Sequence, residues 1–277
     1  KLDVDNYIEL IHFHIKNGTN GLVPAGTTGE SPTLSHEEHE KVIELCINET
    51  KGKIPVIAGT GSNSTEEAIS LTKHAEEAGA DAALLVTPYY NKPTQEGLYQ
   101  HYKAINDSCG IPLIIYNIPS RSVIDITVDT MARLFELKNI VGVKDATGIL
   151  DRVNQQKEKM GNDFIQLTGE DANVLEFNKR GGIGCISVTA NIAPKLCSDF
   201  QKFSLSKNNN EIKEAERIND LLQPVHKSLF IESNPSPVKY AAKLLNLCSD
   251  EVRLPLVKVT NSTKESIKNA LVSAKLI

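Results

Sequence analysis

Lys144 stands near the end of an apolar run, IVGVKDATG (140–148), in which four residues read as a strand covered on both faces before the lysine and Asp145. An amine held there is short of water. Poor hydration disfavours the ammonium and frees a neutral amine to attack carbonyl carbon as a nucleophile. A solvated lysine just past a strand is the plainer reading of that residue alone. Tyr116 closes the neighbouring run PLIIY (112–116), from which its phenol could pass protons while a carbinolamine forms and dehydrates.

GTTGE (26–30) adds two hydroxyls, Thr27 and Thr28, and several unpaired amides at another strand end, a cradle suited to a carboxylate. Arg121, in the PSR segment (119–121), offers a fork of donors to a second carboxylate. TPYYN (87–91) supplies Tyr89 and Tyr90, and adjacent strand residues point to opposite sides, so at most one faces a common site. Taken singly, self-bonded turn threonines, a surface arginine and interfacial tyrosines account for these residues as well. His36 and His39, three apart among Glu37, Glu38 and Glu40, raise the question of a metal, but no third ligand follows at a fitting spacing and none is expected. RGGIG (180–184) resembles a phosphate loop, yet it precedes a strand and reads better as a helix C-cap.

Groups so far apart in sequence need a framework that gathers strand ends. Seven short runs rich in β-branched residues recur, at 21–27, 55–61, 82–90, 112–119, 140–147, 164–171 and 184–191. Helical periods lie between them, with Ser35/Glu38 and Ser64/Glu67 matching the capping-box spacing and Val42, Ile43, Leu45 and Cys46 forming a stripe. Strand-helix alternation with non-alternating apolar strands implies parallel pairing covered on both faces. Polar residues at the strand C-termini, and no G-x-G-x-x-G opening the first helix, favour a (β/α)₈ barrel over a doubly wound sheet. Eight strands close such a ring, so a further strand is expected before Lys1, ahead of the amphipathic helix that opens the chain. Helical segments at about 193–205, 209–229, 235–247 and 263–277 exceed what a barrel needs. The expected organisation is a barrel over 1–207 and a C-terminal helical domain over 208–277.

Composition narrows the partners. The 277 residues are 40% apolar and 23% charged, with a net charge of −5 and no basic cluster to neutralise phosphates, which argues against nucleic acid. No apolar run approaches a membrane span, and the start does not read as a signal peptide, so a cytoplasmic protein is expected. Five cysteines, odd in number and without C-x-x-C spacing, read as reduced thiols.

Together, GTTGES (26–31), IAGTG (57–61), TPYYNKP (87–93), YNIPSR (116–121), VGVKDATG (141–148), TGED (168–171) and ISVTAN (186–191) closely resemble the dihydrodipicolinate synthase family, in family order across essentially the whole chain. The resemblance implies a homotetrameric class I aldolase that condenses pyruvate with L-aspartate 4-semialdehyde to 4-hydroxy-tetrahydrodipicolinate, on the route to diaminopimelate and lysine. Lys144 then matches the Schiff-base lysine, Tyr116 the general acid/base, and Thr28 and Tyr90 the rest of a proton relay, Tyr90 being supplied across a dimer interface. Thr27 and Thr28 match contacts to the pyruvate carboxylate, Arg121 the receiver of the semialdehyde carboxylate, and Gly169 and Ile186 backbone positions lining the pocket. Such chemistry needs no cofactor beyond the lysine. Ser31, His36, His39, Asn63, Glu67 and Tyr89 match an allosteric L-lysine pocket, with Pro32 a departure from the small alanine often found there.

A sister aldolase, cleaving N-acetylneuraminate or a keto-deoxy sugar acid, is the nearest alternative, and Arg121 is what favours a small carboxylated aldehyde. A barrel that only binds a keto acid is the alternative from another class. Retention of both Lys144 and Tyr116 speaks against it.

Overall fold

The computed structural model describes residues 1–277. In chain order its elements open with α1 (Val4–Lys16), α2 (His36–Thr50), β1 (Ile57–Gly59), α3 (Thr65–Ala78), β2 (Ala82–Val86) and α4 (Gln95–Ser108). They continue with β3 (Leu113–Asn117), α5 (Pro119–Ser122), α6 (Val128–Phe135), β4 (Ile140–Asp145), α7 (Asp151–Met160), β5 (Ile165–Thr168) and α8 (Val174–Lys179). The chain finishes in α9 (Pro194–Ser204), α10 (Asn209–Ser228), α11 (Ser236–Leu244) and α12 (Asn261–Ser273). Two compact units result, residues 55–186, and residues 1–54 with 187–277.

In the unit spanning 55–186, five parallel strands run in the order β1-β2-β3-β4-β5. Their side chains alternate between two faces. Leu85, Leu113, Ile115 and Val143, all fully buried, pack with Leu98, Tyr102 and Ile105 of α4 and Met131 and Leu134 of α6. Burying each such side chain contributes about 1.5–3 kcal/mol, so this helix-facing row anchors the sheet. The opposite row carries Leu84, Ile114, Tyr116 and Lys144, with Tyr116 and Lys144 paired in register. Gly142 lets β4 approach β5, since a Cβ there would sit 2.3 Å from the Ile165 carbonyl oxygen.

The other unit has a separate core, in which Val225 of α10 with Leu229 at its C-cap, Val238 and Ala241 of α11, and Ile267 and Leu271 of α12 pack together. Ser35 and Glu38 form the expected capping box at α2, each side chain bonding the other's backbone N–H. At α3 only half of the expected box forms. Ser64 accepts from Glu67 N–H, but Ser64 N–H donates to Ser62 Oγ at 3.0 Å, and the Glu67 carboxylate accepts from the Ser62 hydroxyl.

Two of the seven expected strands do not form ladders. In 21–27, Leu22 makes a single bridge before Pro24, which lacks an N–H, and Ala25, at φ +53°, turn the chain. In 184–191, Cys185 bridges Thr168, and a 3₁₀ turn then takes over at Thr189–Asn191. The RGGIG segment does cap a helix: Gly181 and Gly182 donate N–H groups back to Asn178 and Phe177 at the end of α8. The four C-terminal helices fall where their periods place them. None of the helices is long and apolar enough to cross a membrane.

Candidate functional site

Lys144 is the fifth residue of β4, and only 9% of it is exposed. Its Nζ lies 3.9 Å from the centroid of the Tyr116 ring, placed there by the register between β3 and β4. Such an ammonium is attracted to the negative face of the ring. Gly169, one residue beyond β5, donates its N–H to the Asp145 carbonyl at 2.8 Å. A Cβ at Gly169 would come within 3.0 Å of Lys144 Cε and 2.8 Å of Ala146 Cβ, so the lysine stem uses the space that glycine leaves. Ile186 N–H donates to the Thr168 carbonyl at 3.0 Å, bringing its backbone to the same end of β5. Half-buried Glu170 follows Gly169. Burial, and then the neighbouring Asp171, hold its carboxyl above the usual glutamate range, opposed by the charge of Lys144.

Arg121 is exposed and sits in α5, a single helical turn. Ser122 secures that turn: its Oγ donates toward the Ile118 and Ile124 carbonyls and accepts from Thr87 Oγ1 at 3.1 Å. The next residue, Val123, is 65% exposed at φ +69°, a left-handed conformation that a β-branched side chain rarely adopts. Beyond β2, both Tyr89 and Tyr90 are exposed, Tyr90 to 87% at φ +72°. Asn91 Nδ2 donates to the Asn63 carbonyl at 2.9 Å, fastening the tyrosine turn near the start of α3.

Behind the lysine is a buried polar cluster that the sequence did not announce. Asp145 Oδ2 accepts from Arg152 Nε at 2.9 Å and from Gln156 Nε2 at 3.1 Å, while Oδ1 accepts from the Thr147 backbone N–H and hydroxyl. Arg152 also donates to the Ile126 carbonyl at 2.8 Å and lies 3.5 Å from Asp125 Oδ2. Asn117, the residue after Tyr116, donates to Asp125 Oδ1 at 2.7 Å and accepts from Ile126 N–H at 3.2 Å.

In the other unit, Thr27 and Thr28 lie in the turn that follows residue 22, closed by the Glu30 N–H donating to the Thr27 carbonyl. Thr28 Oγ1 accepts from Asn234 Nδ2 at 2.9 Å, which fixes the hydroxyl oxygen and leaves its proton to be donated elsewhere. Asn234 was not singled out from sequence, since a partner 206 residues away leaves no local signal. Ser31 opens a 3₁₀ turn, His36 is exposed and His39 buried, so the two histidines do not share an environment. No group of three or more His, Cys, Asp or Glu side chains is placed to hold a metal ion.

A sheltered amine against a phenol, at the C-terminal end of parallel strands, is an arrangement for imine chemistry on a carbonyl substrate. The family model of the dihydrodipicolinate synthetase family matches residues 1–274. A 4-hydroxy-tetrahydrodipicolinate synthase of Pelagibacter ubique (strain HTCC1062) is 78% identical over 277 residues, covering 100% of this chain and 94% of that protein. Among solved structures, the chloride-inhibited dihydrodipicolinate synthase of Acinetobacter baumannii, complexed with pyruvate, superposes with a TM-score of 0.96 at 47% identity, over 100% of this chain and 94% of that one. The DHDPS of Cyanidioschyzon merolae with lysine bound gives 0.96 at 35% identity, over 100% and 93%. The fold class read from the sequence, an α/β (β/α)₈ barrel with C-terminal helices, therefore stands. With family model, relatives and solved structures agreeing from one end to the other, the chain belongs to the dihydrodipicolinate synthetase family.

Proposed function

We propose that the protein is a 4-hydroxy-tetrahydrodipicolinate synthase, a lyase that condenses pyruvate with L-aspartate 4-semialdehyde through a Schiff base on Lys144. The observation that carries the reading is the 3.9 Å approach of Lys144 Nζ to the Tyr116 ring on adjacent, in-register strand ends. The neutral amine adds to the pyruvate ketone, and loss of water from the carbinolamine gives an imine. Removal of a methyl proton then yields an enamine, whose carbon attacks the aldehyde while the new alkoxide takes a proton. The semialdehyde's own amine displaces Lys144 from the imine carbon, closing the ring and returning the free lysine. Every step is proton movement and carbonyl addition, so the lysine supplies the chemistry that a cofactor supplies elsewhere.

Tyr116, with Thr28 and Tyr90, moves the protons. Thr27 and Thr28 take the pyruvate carboxylate, Arg121 takes that of the semialdehyde, and Gly169 and Ile186 contribute backbone to the pocket. The pyruvate complex of the Acinetobacter baumannii relative supports this choice of substrate. Feedback inhibition by L-lysine is part of the reading, supported by the lysine-bound relative, as are a homotetramer and a cytoplasmic location.

Borohydride reduction in the presence of pyruvate, followed by peptide mass mapping, tests the mechanism: the adduct belongs on Lys144, and an unmodified Lys144 ends the proposal. Turnover of N-acetylneuraminate in place of the semialdehyde would move the protein to the sister aldolases. Undiminished activity at millimolar L-lysine would remove the regulation.

A further inference from the structure

We infer that Arg152 is a positioning residue whose guanidinium, by clamping Asp145 on one side and the Asp125–Ile126 segment on the other, sets the spacing of Lys144 and Tyr116 and steadies Arg121. This rests on the reading of Lys144 as the imine-forming amine.

Two adjacent pairs end the ladder between β3 and β4: Tyr116 with Lys144, then Asn117 with Asp145. Alternation turns the second pair toward the helices, away from the first. The turned-away pair is tied at almost every polar atom. Arg152, at the first turn of α7, donates to Asp145 Oδ2 and the Ile126 carbonyl and faces Asp125, while Asn117 grips Asp125 Oδ1 and Ile126 N–H. The backbone repeats the tie, with Ala146 N–H donating to the Asn117 carbonyl at 2.9 Å. One planar cation thus joins the residue after Lys144, through Asp125 and Ile126, to the residue after Tyr116. It also closes the stretch from Asn117 to Asp125, in which Arg121 lies. Three acceptors in three directions suit a guanidinium fork, and a lysine ammonium on a single flexible stem cannot reach them together. A strand cannot turn one side chain without turning the next, so slack in the outer pair is transmitted to the inner one.

The two arms make separable predictions. In Arg152→Lys the charge remains but the fork is lost. Per folded subunit, the rate of forming borohydride-trappable imine with pyruvate should fall about tenfold or more, because an error of about 1 Å in a reacting group costs up to roughly 100-fold. The KM for pyruvate should stay within about threefold, since uniform binding is untouched. In Asp125→Asn the clamp on Asp145 remains. Imine trapping should then stay within about threefold of wild type, while the KM for aspartate semialdehyde rises about fivefold as the Arg121 segment loosens. An Arg152→Lys protein that melts earlier yet traps pyruvate at the wild-type rate per folded subunit would show a purely structural role and overturn the inference. Should that variant fail to fold, an unchanged semialdehyde KM in Asp125→Asn overturns it instead. Wild-type enzyme without label on Lys144 would refute the functional reading itself, a result distinct from either of these.

Discussion

The side-chain nitrogen of Lys144 rests 3.9 Å from the centre of the Tyr116 ring, so the amine proposed to bind carbonyl carbon and the phenol proposed to handle protons share one contact. Tyr116→Phe keeps the ring face and the packing but removes the hydroxyl. Turnover should fall about 10²–10⁴-fold, the range for losing a general acid/base, with melting temperature nearly unchanged. Steady-state kinetics beside a thermal melt checks this. A variant that loses activity only by unfolding would place the phenol outside the chemistry.

Gly169→Ala probes the room given to the lysine stem. The added methyl would meet Ala146 Cβ at 2.8 Å and Lys144 Cε at 3.0 Å, closer than side chains ordinarily pack. The lysine is the mobile neighbour and should yield, at an overpacking cost of about 1–3 kcal/mol. Imine trapping should slow by at least tenfold, a displacement effect of the expected order. Wild-type trapping kinetics would show that the site has slack there.

Val123→Gly should stabilise the protein. A left-handed backbone costs a β-branched residue about 1–3 kcal/mol, and glycine occupies it freely at an entropic cost of about 0.5–1 kcal/mol. Val123 is largely exposed, so little packing is lost. A gain of about 1 kcal/mol in a urea titration is expected, and a loss would mean that the side chain makes compensating contacts.

Acid should weaken the fold through buried histidines. Burial lowers His14 and His101 from 6.5 to about 4, and each ring Nδ1 lies 2.9 Å from a threonine hydroxyl. Between these values the unfolded chain binds more protons than the folded one. Stability is therefore greatest above pH 6.5 and is lost as the pH falls toward 4, at about 1.4 kcal/mol per pH unit for each histidine. His101→Gln should remove one proton's worth of that slope between pH 6.5 and 5. An unchanged slope in urea titrations across that window would refute the assignment.

The placement of Lys144 and Tyr116 was legible because both residues lie at strand ends, where an apolar run followed by a polar residue marks the transition. The C-terminal helices and the cap at Gly181 and Gly182 were legible for the same local reason. What escaped was long-range. Asn234 looks like an ordinary turn residue until its amide is found on Thr28, and Arg152 looks like a surface charge on α7 until its fork is found on Asp145. The runs at 21–27 and 184–191 have strand composition, but Pro24 and the 3₁₀ turn at Thr189–Asn191 stop the ladders that composition suggests. The second capping box failed because Ser62 competed for both the Ser64 amide and the Glu67 carboxylate.

The division of the chain has a consequence for synthesis on the ribosome. Residues 55–186 make up a compact unit whose five-stranded sheet pairs only strands from within that stretch. Residues 1–54 depend also on partners far along the chain. Gly18 meets Ser198, Thr28 meets Asn234 and Glu38 meets Arg253 across separations of 180, 206 and 215 residues, and none of these bonds exists until the later partner has been made. Closing such long loops adds little equilibrium cost but slows assembly. Residues 1–54 thus wait longer for these partners than the strands of 55–186 wait for one another.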